Sequence, residues 1–168
     1  MKLVEYEQSL EAPLRQATIV FLLKGDEILL AMKKRGFGVN KWNGVGGKPN
    51  PGEKIEQTAI RESKEEIDVI PLEPKKVAVL SFYSSHDKGE HQQVHVFTAT
   101  KWQGEPVESE EMKPQWFKVK DIPYNKMWPD DKFWLPKVLS GSLVKASFLF
   151  GKNEKIKDYY VNNVNSLE

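Results

Sequence analysis

The side chains best suited to chemistry are Glu62, Glu65 and Glu66, in the run Arg61-Glu62-Ser63-Lys64-Glu65-Glu66. On a helix, at ~100° per residue, these three carboxylates fall within an arc of about 100°. Ala59, Ile60, Ser63 and Ile67 form a separate stripe centred roughly 120° away, so one face is expected to pack on a core and another to hold the acids. Glu65 and Glu66 are both expected to turn away from the core. Three close anions repel one another unless something positive sits among them. Arg61 is a partial answer, since it can reach Glu65 at i+4 and Glu53 across the preceding loop. Two readings fit the helix alone: a solvated face laced by i,i+4 ion pairs, or oxygen ligands for a hard cation. Mg²⁺ takes one or two carboxylates, keeps several waters and completes its shell with phosphate.

Upstream lies Gly44-Val45-Gly46-Gly47-Lys48. Glycine has no Cβ and lets backbone approach a ligand closely, so carbonyls here can ligate a metal, and N–H groups or Lys48 can touch phosphate. A glycine run alone says little, because turns use glycine constantly. Its fixed distance from the glutamates says more: Gly47, five residues, Glu53, seven residues, then Arg61-Glu62-Ser63-Lys64-Glu65-Glu66. This spacing closely resembles the Nudix box, G-x5-E-x7-R-E-U-x-E-E-x-G-U with U aliphatic, and every charged position matches. Ser63 stands at an aliphatic position and Asp68 at a glycine position, while Val69 fits the last U. Both departures concern packing. Ser63 buries less apolar area, and Asp68 tolerates the left-handed conformation past a helix end but opposes the helix dipole. Each is expected to cost about 1 kcal/mol.

The resemblance implies an α+β Nudix fold, an αβα sandwich with a mixed β-sheet and the glutamate-bearing loop and helix on one side. It implies hydrolysis of a nucleoside diphosphate linked to some group X. Glu62, Glu65, Glu66 and the Gly46 carbonyl would hold Mg²⁺, with Mn²⁺ able to substitute, and Glu111 would add a carboxylate from a loop. Glu65 or Glu66 would act as base, and Arg61 and Glu53 would fix helix and loop relative to each other. Which glutamate takes the proton stays open.

The similarity extends from about Thr18 to Val161. Lys33-Lys34-Arg35-Gly36-Phe37-Gly38, Lys41-Trp42-Asn43-Gly44, Val107-Glu108-Ser109-Glu110-Glu111-Met112 and Met127-Trp128-Pro129-Asp130-Asp131 look like the oxidised-purine nucleoside triphosphatase branch of that family, the MutT homologues. Carried over by position, this implies nucleotide contacts at Thr18, Lys33, Asn43, Val45, Gly46, Gly47, Lys48, Trp128, Asp130 and Asp131, with Phe37 and Trp134 lining a base pocket. Adjacent aspartates among aromatic rings can keep one carboxyl protonated near neutral pH, because burial and like charge both raise its pKa. Such a pair can read either tautomeric edge of an oxidised purine such as 8-oxo-dGTP or 2-oxo-dATP. Each residue also has a plainer reading. Asp130 or Asp131 after a proline suits a helix N-cap or first turn, Trp128 and Trp134 suit a core, Asn43 suits a turn, and Glu108 to Glu111 suit a solvated acidic loop. Other substrates (ADP-ribose, a dinucleoside polyphosphate, an undamaged NTP) and a non-catalytic nucleotide-binding regulator are the competing functions.

The elements that must position these groups are legible in outline. Strands are expected over 16–24, 27–32, 76–83, 92–99, 115–119 and 145–150, and a turn at Gly25-Asp26. Helices are expected over 54–67 and from about Pro129 to Leu139. Residues 157–161 fit a strand or a helix. The interleaving predicts helices packed on a mixed sheet in one domain spanning 1–168, preceded by an N-terminal arm, residues 1–15, of no assigned role. His91 and His95 share one strand face but lie nearer 13 Å than 4 Å apart at ~3.3 Å per residue, too far to share a metal, and are expected to be surface or hydrogen-bonded side chains.

With 168 residues, 39% hydrophobic and 29% charged, the chain can bury a sizeable core. A net charge of +1 gives no electrostatic reason to expect a polymeric nucleic acid, whereas a small-molecule nucleotide held through a metal needs no basic excess. The absence of cysteine excludes disulfides and thiol catalysis. The apolar run at 17–23 is too short to span a bilayer, and the first fifteen residues lack a signal-like apolar stretch. A cytoplasmic monomer is the expectation.

Overall fold

The computed structural model describes residues 2–10, 13–86 and 91–168; Met1, Glu11 and Ala12 of the N-terminal arm lie outside them. In chain order the elements are α1 (Leu3–Ser9), β1 (Arg15–Lys24), β2 (Glu27–Lys33), β3 (Trp42–Asn43), α2 (Ile55–Ile67), β4 (Ile70–Pro71), β5 (Lys75–Ser84), β6 (Gln92–Ala99), β7 (Trp102–Gln103), β8 (Met112–Lys118), α3 (Asp131–Leu139), β9 (Leu143–Phe150) and β10 (Ile156–Val164). The class is α+β. The chain divides into two compact units, one made of Met1–Gln16, Val77–His95 and Pro129–Glu168, the other of Ala17–Lys76 and Val96–Trp128.

The second unit carries the glycine loop and the glutamate helix. β1 and β2 form a hairpin, pairing Leu23 with Ile28 and Lys24 with Glu27. Gly25 turns the chain with φ of 61°, a conformation glycine adopts without a Cβ penalty. β2 also pairs antiparallel with β8, from Glu27 opposite Lys118 to Lys33 opposite Met112, and its end meets β3. β8 therefore starts earlier than the sequence suggests, which delivers Glu111 at the mouth of a strand. Val20, Leu22, Leu29, Ala31, Phe97 and Met112 form a core against which α2 lays Ala59 and Ile67.

Ser63 lies on that buried face, and its hydroxyl donates to the Ala59 carbonyl at 2.8 Å, so the polar atom is satisfied one turn back. Asp68 takes the left-handed conformation (φ 60°, ψ 36°) at the helix end, and Lys64, one turn earlier, pairs with its carboxylate. Glu66 departs from expectation. It is buried, at 9% exposure, whereas the Glu65 side chain is 57% exposed. The reason is the helical wheel: Glu66 follows Ala59 by seven residues, only about 20° round the axis, and so borders the core stripe.

In the first unit β5 and β9 run parallel, Ala78 opposite Val144 through Ser84 opposite Phe150, while β9 and β10 run antiparallel, so the sheet there is mixed. Residues 157–161 belong to a strand. The N-terminal arm contains a helix: Leu3, Tyr6, Leu10 and Leu14 pack on Tyr83, Leu149 and Tyr160. The Tyr6 hydroxyl donates to the Ser84 carbonyl at 2.7 Å and lies 2.9 Å from His91 Nε2. Both His91 and His95 are buried rather than on the surface, and His95 Nε2 lies 2.6 Å from Gln16 Oε1. Among the described residues no helix is long and apolar enough to cross a membrane.

Candidate active site

Arg61 is the hub of the loop and helix. Its Nε donates to Glu53 at 2.8 Å and an Nη donates to the other Glu53 oxygen at 3.0 Å, a two-bond fork that closes the loop onto α2. The same guanidinium donates to Glu62 at 2.9 Å, to Glu65 at 3.1 Å and to the Lys48 carbonyl at 3.0 Å. Glu53 further accepts from the Thr58 hydroxyl at 2.7 Å and the Asn50 N–H at 3.1 Å. Arg61 first, then Thr58, hold the Glu53 carboxyl down at about 2. Its folded pKa lies below the usual carboxylate value, so the stability it contributes is present above about pH 4.5 and disappears as pH falls toward about 2. Glu53→Gln is therefore expected to flatten the acid limb of the stability curve in that window. Urea denaturation at stepped pH checks this, and an unchanged acid limb would mean that the fork adds no stability.

The glycine loop fits because its side chains are missing. A Cβ on Gly46 would lie 1.7 Å from the Thr18 carbonyl oxygen, and one on Gly47 would lie 2.4 Å from the Glu62 carboxyl carbon. Thr18 knits the loop to β1: its N–H donates to the Gly47 carbonyl at 2.9 Å and its hydroxyl accepts from the Gly47 N–H at 3.4 Å. From the helix side, Glu66 accepts from the Gly46 N–H at 3.3 Å. Burial first, then the Glu62 charge, pushes the Glu66 carboxyl up to about 8. Burial also raises Glu62.

Glu62, Glu65 and Glu66 line a cleft of about 310 Å³ together with Glu110, Glu111, Ser109 and Arg35. Glu111 arrives there because its loop is strapped to the end of β2. The Lys34 N–H donates to the Glu111 carbonyl at 2.8 Å, and Lys34 Nζ donates to the Ser109 carbonyl at 2.8 Å. Among the described residues no three acidic or histidine side chains are gathered into a closed metal cage. The carboxylates stand round an open cleft instead, and one of them is buried and reluctant to ionise alone. Hard oxygen donors with room for water and phosphate suit a divalent ion such as Mg²⁺. The residues present fit that ion.

The other residues expected at the site divide. Phe37, 65% exposed, lies over Trp128 with ring centroids 5.1 Å apart. Lys41 Nζ sits 4.8 Å from the Trp128 centroid. Asn43 is half-buried, and its Oδ1 accepts from the Gly44 N–H at 2.8 Å. Lys33 is half-buried at the end of β2, and Lys48 is exposed at the end of the glycine loop. Three further expected contacts are buried. Thr18 is buried at 2% with its hydroxyl engaged by Gly47, so it holds the loop. Val45 is buried in the core and exchanges both backbone hydrogen bonds with Val20. Trp134 is fully buried and presents no surface to a ligand.

Trp134 acts through Asp130. Its Nε1 donates to Asp130 Oδ2 at 2.9 Å. Asp130 is the N-cap residue immediately before α3, yet its side chain makes no capping bond. Both Asp130 and Asp131 are buried at 3%, and burial pushes the Asp130 carboxyl up. The sequence did not single out Arg35, Ser109 or Glu110 as cleft residues. The basic run 33–35 reads as an exposed stretch, and only the strap between Lys34 and the 109–111 loop turns it inward.

A family profile described as NUDIX domain matches residues 13–138. Over 152 residues the chain is 41% identical to an oxidized purine nucleoside triphosphate hydrolase of Mus musculus, spanning 90% of this chain and 97% of that protein. It is 40% identical over 150 residues to a protein of the same name in Danio rerio, spanning 89% and 96%. A MutT protein from Bacillus halodurans, solved by crystallography, matches with a TM-score of 0.77 and 25% identity over 89% of this chain and 98% of that one.

Proposed function

Because the chain belongs to the Nudix family of hydrolases, we propose that it cleaves oxidised purine nucleoside triphosphates to monophosphate and pyrophosphate. The observation that carries this reading is Glu66, a buried carboxylate fixed by the Gly46 N–H at the edge of a cleft lined by Glu62, Glu65 and Glu111. Such an arrangement is costly for stability and useful for phosphate chemistry. The substrate class rests on the relatives in mouse and zebrafish and on the buried Asp130 and Asp131.

Nudix hydrolases generally need a divalent metal. Here Glu62, Glu65, Glu66 and Glu111, with the Gly46 carbonyl, would hold Mg²⁺, for which Mn²⁺ would substitute. When bound, the ion neutralises phosphate oxygens and acidifies a coordinated water. The chain's own residues do the rest. Arg61 and Glu53 keep loop and helix in register, so that Glu62 and Glu66 stand on either side of Gly46 and Gly47. Glu66 is the most buried of these carboxylates, its oxygen accepts from the Gly46 N–H, and it accepts the proton of the attacking water. Lys48 faces the phosphates, and Lys33 adds positive charge. Phe37 and Trp128 offer faces for a purine to stack on, Asn43 offers a donor and an acceptor, and Asp130, its pKa raised by burial, and Asp131 are the carboxyls that would read the purine edge. A monomer acting in the cytoplasm completes this reading.

The test is a turnover panel with products identified. In Mg²⁺, 8-oxo-dGTP is expected to exceed dGTP and ADP-ribose in kcat/KM by at least about tenfold, the discrimination a few buried polar contacts supply. Equal turnover of all three would remove the oxidised-purine reading while leaving the hydrolase. Nucleotide binding without hydrolysis of any of them would point to a regulator.

A further inference from the structure

We propose that Arg35 grips the terminal phosphates of the nucleotide and then the pyrophosphate formed from them, an inference that rests on the pyrophosphohydrolase reading above. Among the described residues that line the carboxylate cleft, Arg35 is the one cation. Lys33 and Lys48 lie outside that lining, and three other nearby cations are committed. Arg61 spends its donors on Glu53, Glu62, Glu65 and the Lys48 carbonyl. Lys34 Nζ is tied to the Ser109 carbonyl and to Glu108, and Lys64 pairs with Asp68.

Arg35 is held near the cleft but only loosely. Its Nη2 lies 3.4 Å from Glu111 Oε1 and its Nη1 lies 3.8 Å from Glu110 Oε2, and the side chain is 61% exposed. Fully formed charge-assisted bonds of this kind measure about 2.7–2.9 Å. An exposed pair at these lengths contributes little and yields readily to a better anion. Position, by contrast, is fixed by backbone. The neighbouring Lys34 N–H is bonded to the Glu111 carbonyl, and Gly36 turns the chain away with φ of 83°. The fork therefore stands beside Glu111. When Glu111 turns to a metal, Arg35 loses its weak partner and presents a planar fork that matches a phosphate edge. A terminal diphosphate, with more charge than the phosphate left on the nucleoside, gains most from it.

The experiment compares wild type, Arg35→Ala and Arg35→Lys by calorimetric titration with inorganic pyrophosphate and with dGMP, in saturating Mg²⁺. Arg35→Ala is expected to weaken pyrophosphate binding about 10- to 100-fold, the range for losing a charge-assisted bond, and to leave dGMP nearly unchanged. Arg35→Lys should recover part of the loss, because it keeps the charge without the fork. KM for a triphosphate substrate should rise in parallel, with a smaller change in kcat. Equal weakening toward both ligands, unchanged pyrophosphate binding, or a wild-type protein that binds no pyrophosphate would each overturn the assignment. If Arg35 served only to prop Glu111, the Mg²⁺ requirement would shift while pyrophosphate affinity at saturating Mg²⁺ stayed the same, which also overturns it. The reading of the reaction fails separately, if wild type releases orthophosphate in place of pyrophosphate.

Discussion

Glu66→Gln is expected to lower kcat by about 10²–10⁴, the range for removing a positioned proton acceptor, and at the same time to raise the stability of the metal-free protein at alkaline pH. The two effects share one cause. Glu66 is buried at 9% exposure, and its carboxyl is pushed up to about 8 from a usual value of 4.5. With a folded pKa above the unfolded one, the native state holds its proton more tightly. The resulting stability is complete below about pH 4.5 and disappears as pH rises through about 8. Glutamine has nearly the same shape, carries no charge and does not titrate, so the variant should lose that slope and exceed wild type above about pH 8.

A divalent ion should reverse the order. In wild type, Mg²⁺ compensates the buried carboxylate and stabilises only the folded state, so the melting temperature should climb with metal concentration. Glu66→Gln should respond much less. Thermal melts at pH 6 and pH 9, with and without Mg²⁺, read all of this beside the turnover assay. Near-wild-type turnover in the variant would take Glu66 out of the mechanism. Lost turnover with an unchanged pH slope would keep it in the mechanism but deny that its burial is the source of its chemistry. Glu65→Gln makes a useful contrast: that side chain is exposed and held by Arg61, so any loss of activity should come without a stability gain.

Why Glu66 differs from Glu65 was not legible in the charged pattern, although it was latent in the helical period. The box spacing located the loop, the fork from Arg61 to Glu53 and the helix, because those depend on residues close in sequence. Burial depends on which side of the stripe the core overhangs, and Phe97 and Met112, which build that core, come from β6 and β8 far along the chain. The same limit hid the burial of Thr18, Val45 and Trp134. Their positions match nucleotide-contacting positions, yet a match in identity does not say whether the side chain or only its neighbour reaches the surface. The helix in the N-terminal arm could have been found, since Leu3, Tyr6 and Leu10 recur at helical spacing. Its seven residues are too few to announce a helix without the tyrosines and Leu149 that receive it.

Asp130→Asn should change which oxidised purine is preferred, by on the order of 10–100-fold in relative kcat/KM, the scale of one buried hydrogen bond gained or lost. The Nε1 of Trp134 can only donate. It fixes an acceptor oxygen of residue 130 at 2.9 Å. Asparagine must therefore turn its Oδ1 toward Trp134 and its Nδ2 outward, which makes the outward group a permanent donor. Aspartate, with a pKa raised by burial, can present either a hydroxyl or a carboxylate oxygen there. A purine whose edge accepts at this position should be processed by Asp130→Asn nearly as well as by wild type. A purine whose edge donates should lose most. Steady-state kinetics on 8-oxo-dGTP and 2-oxo-dATP decide the matter. Parallel weakening toward both, with a lowered melting temperature, would mean that Asp130 serves only to anchor Trp134 in the first turn of α3. Because the side chain makes no capping bond, a loss of helix stability large enough to mimic the specificity effect is not expected, and the ratio between the two purines is the quantity that carries the result.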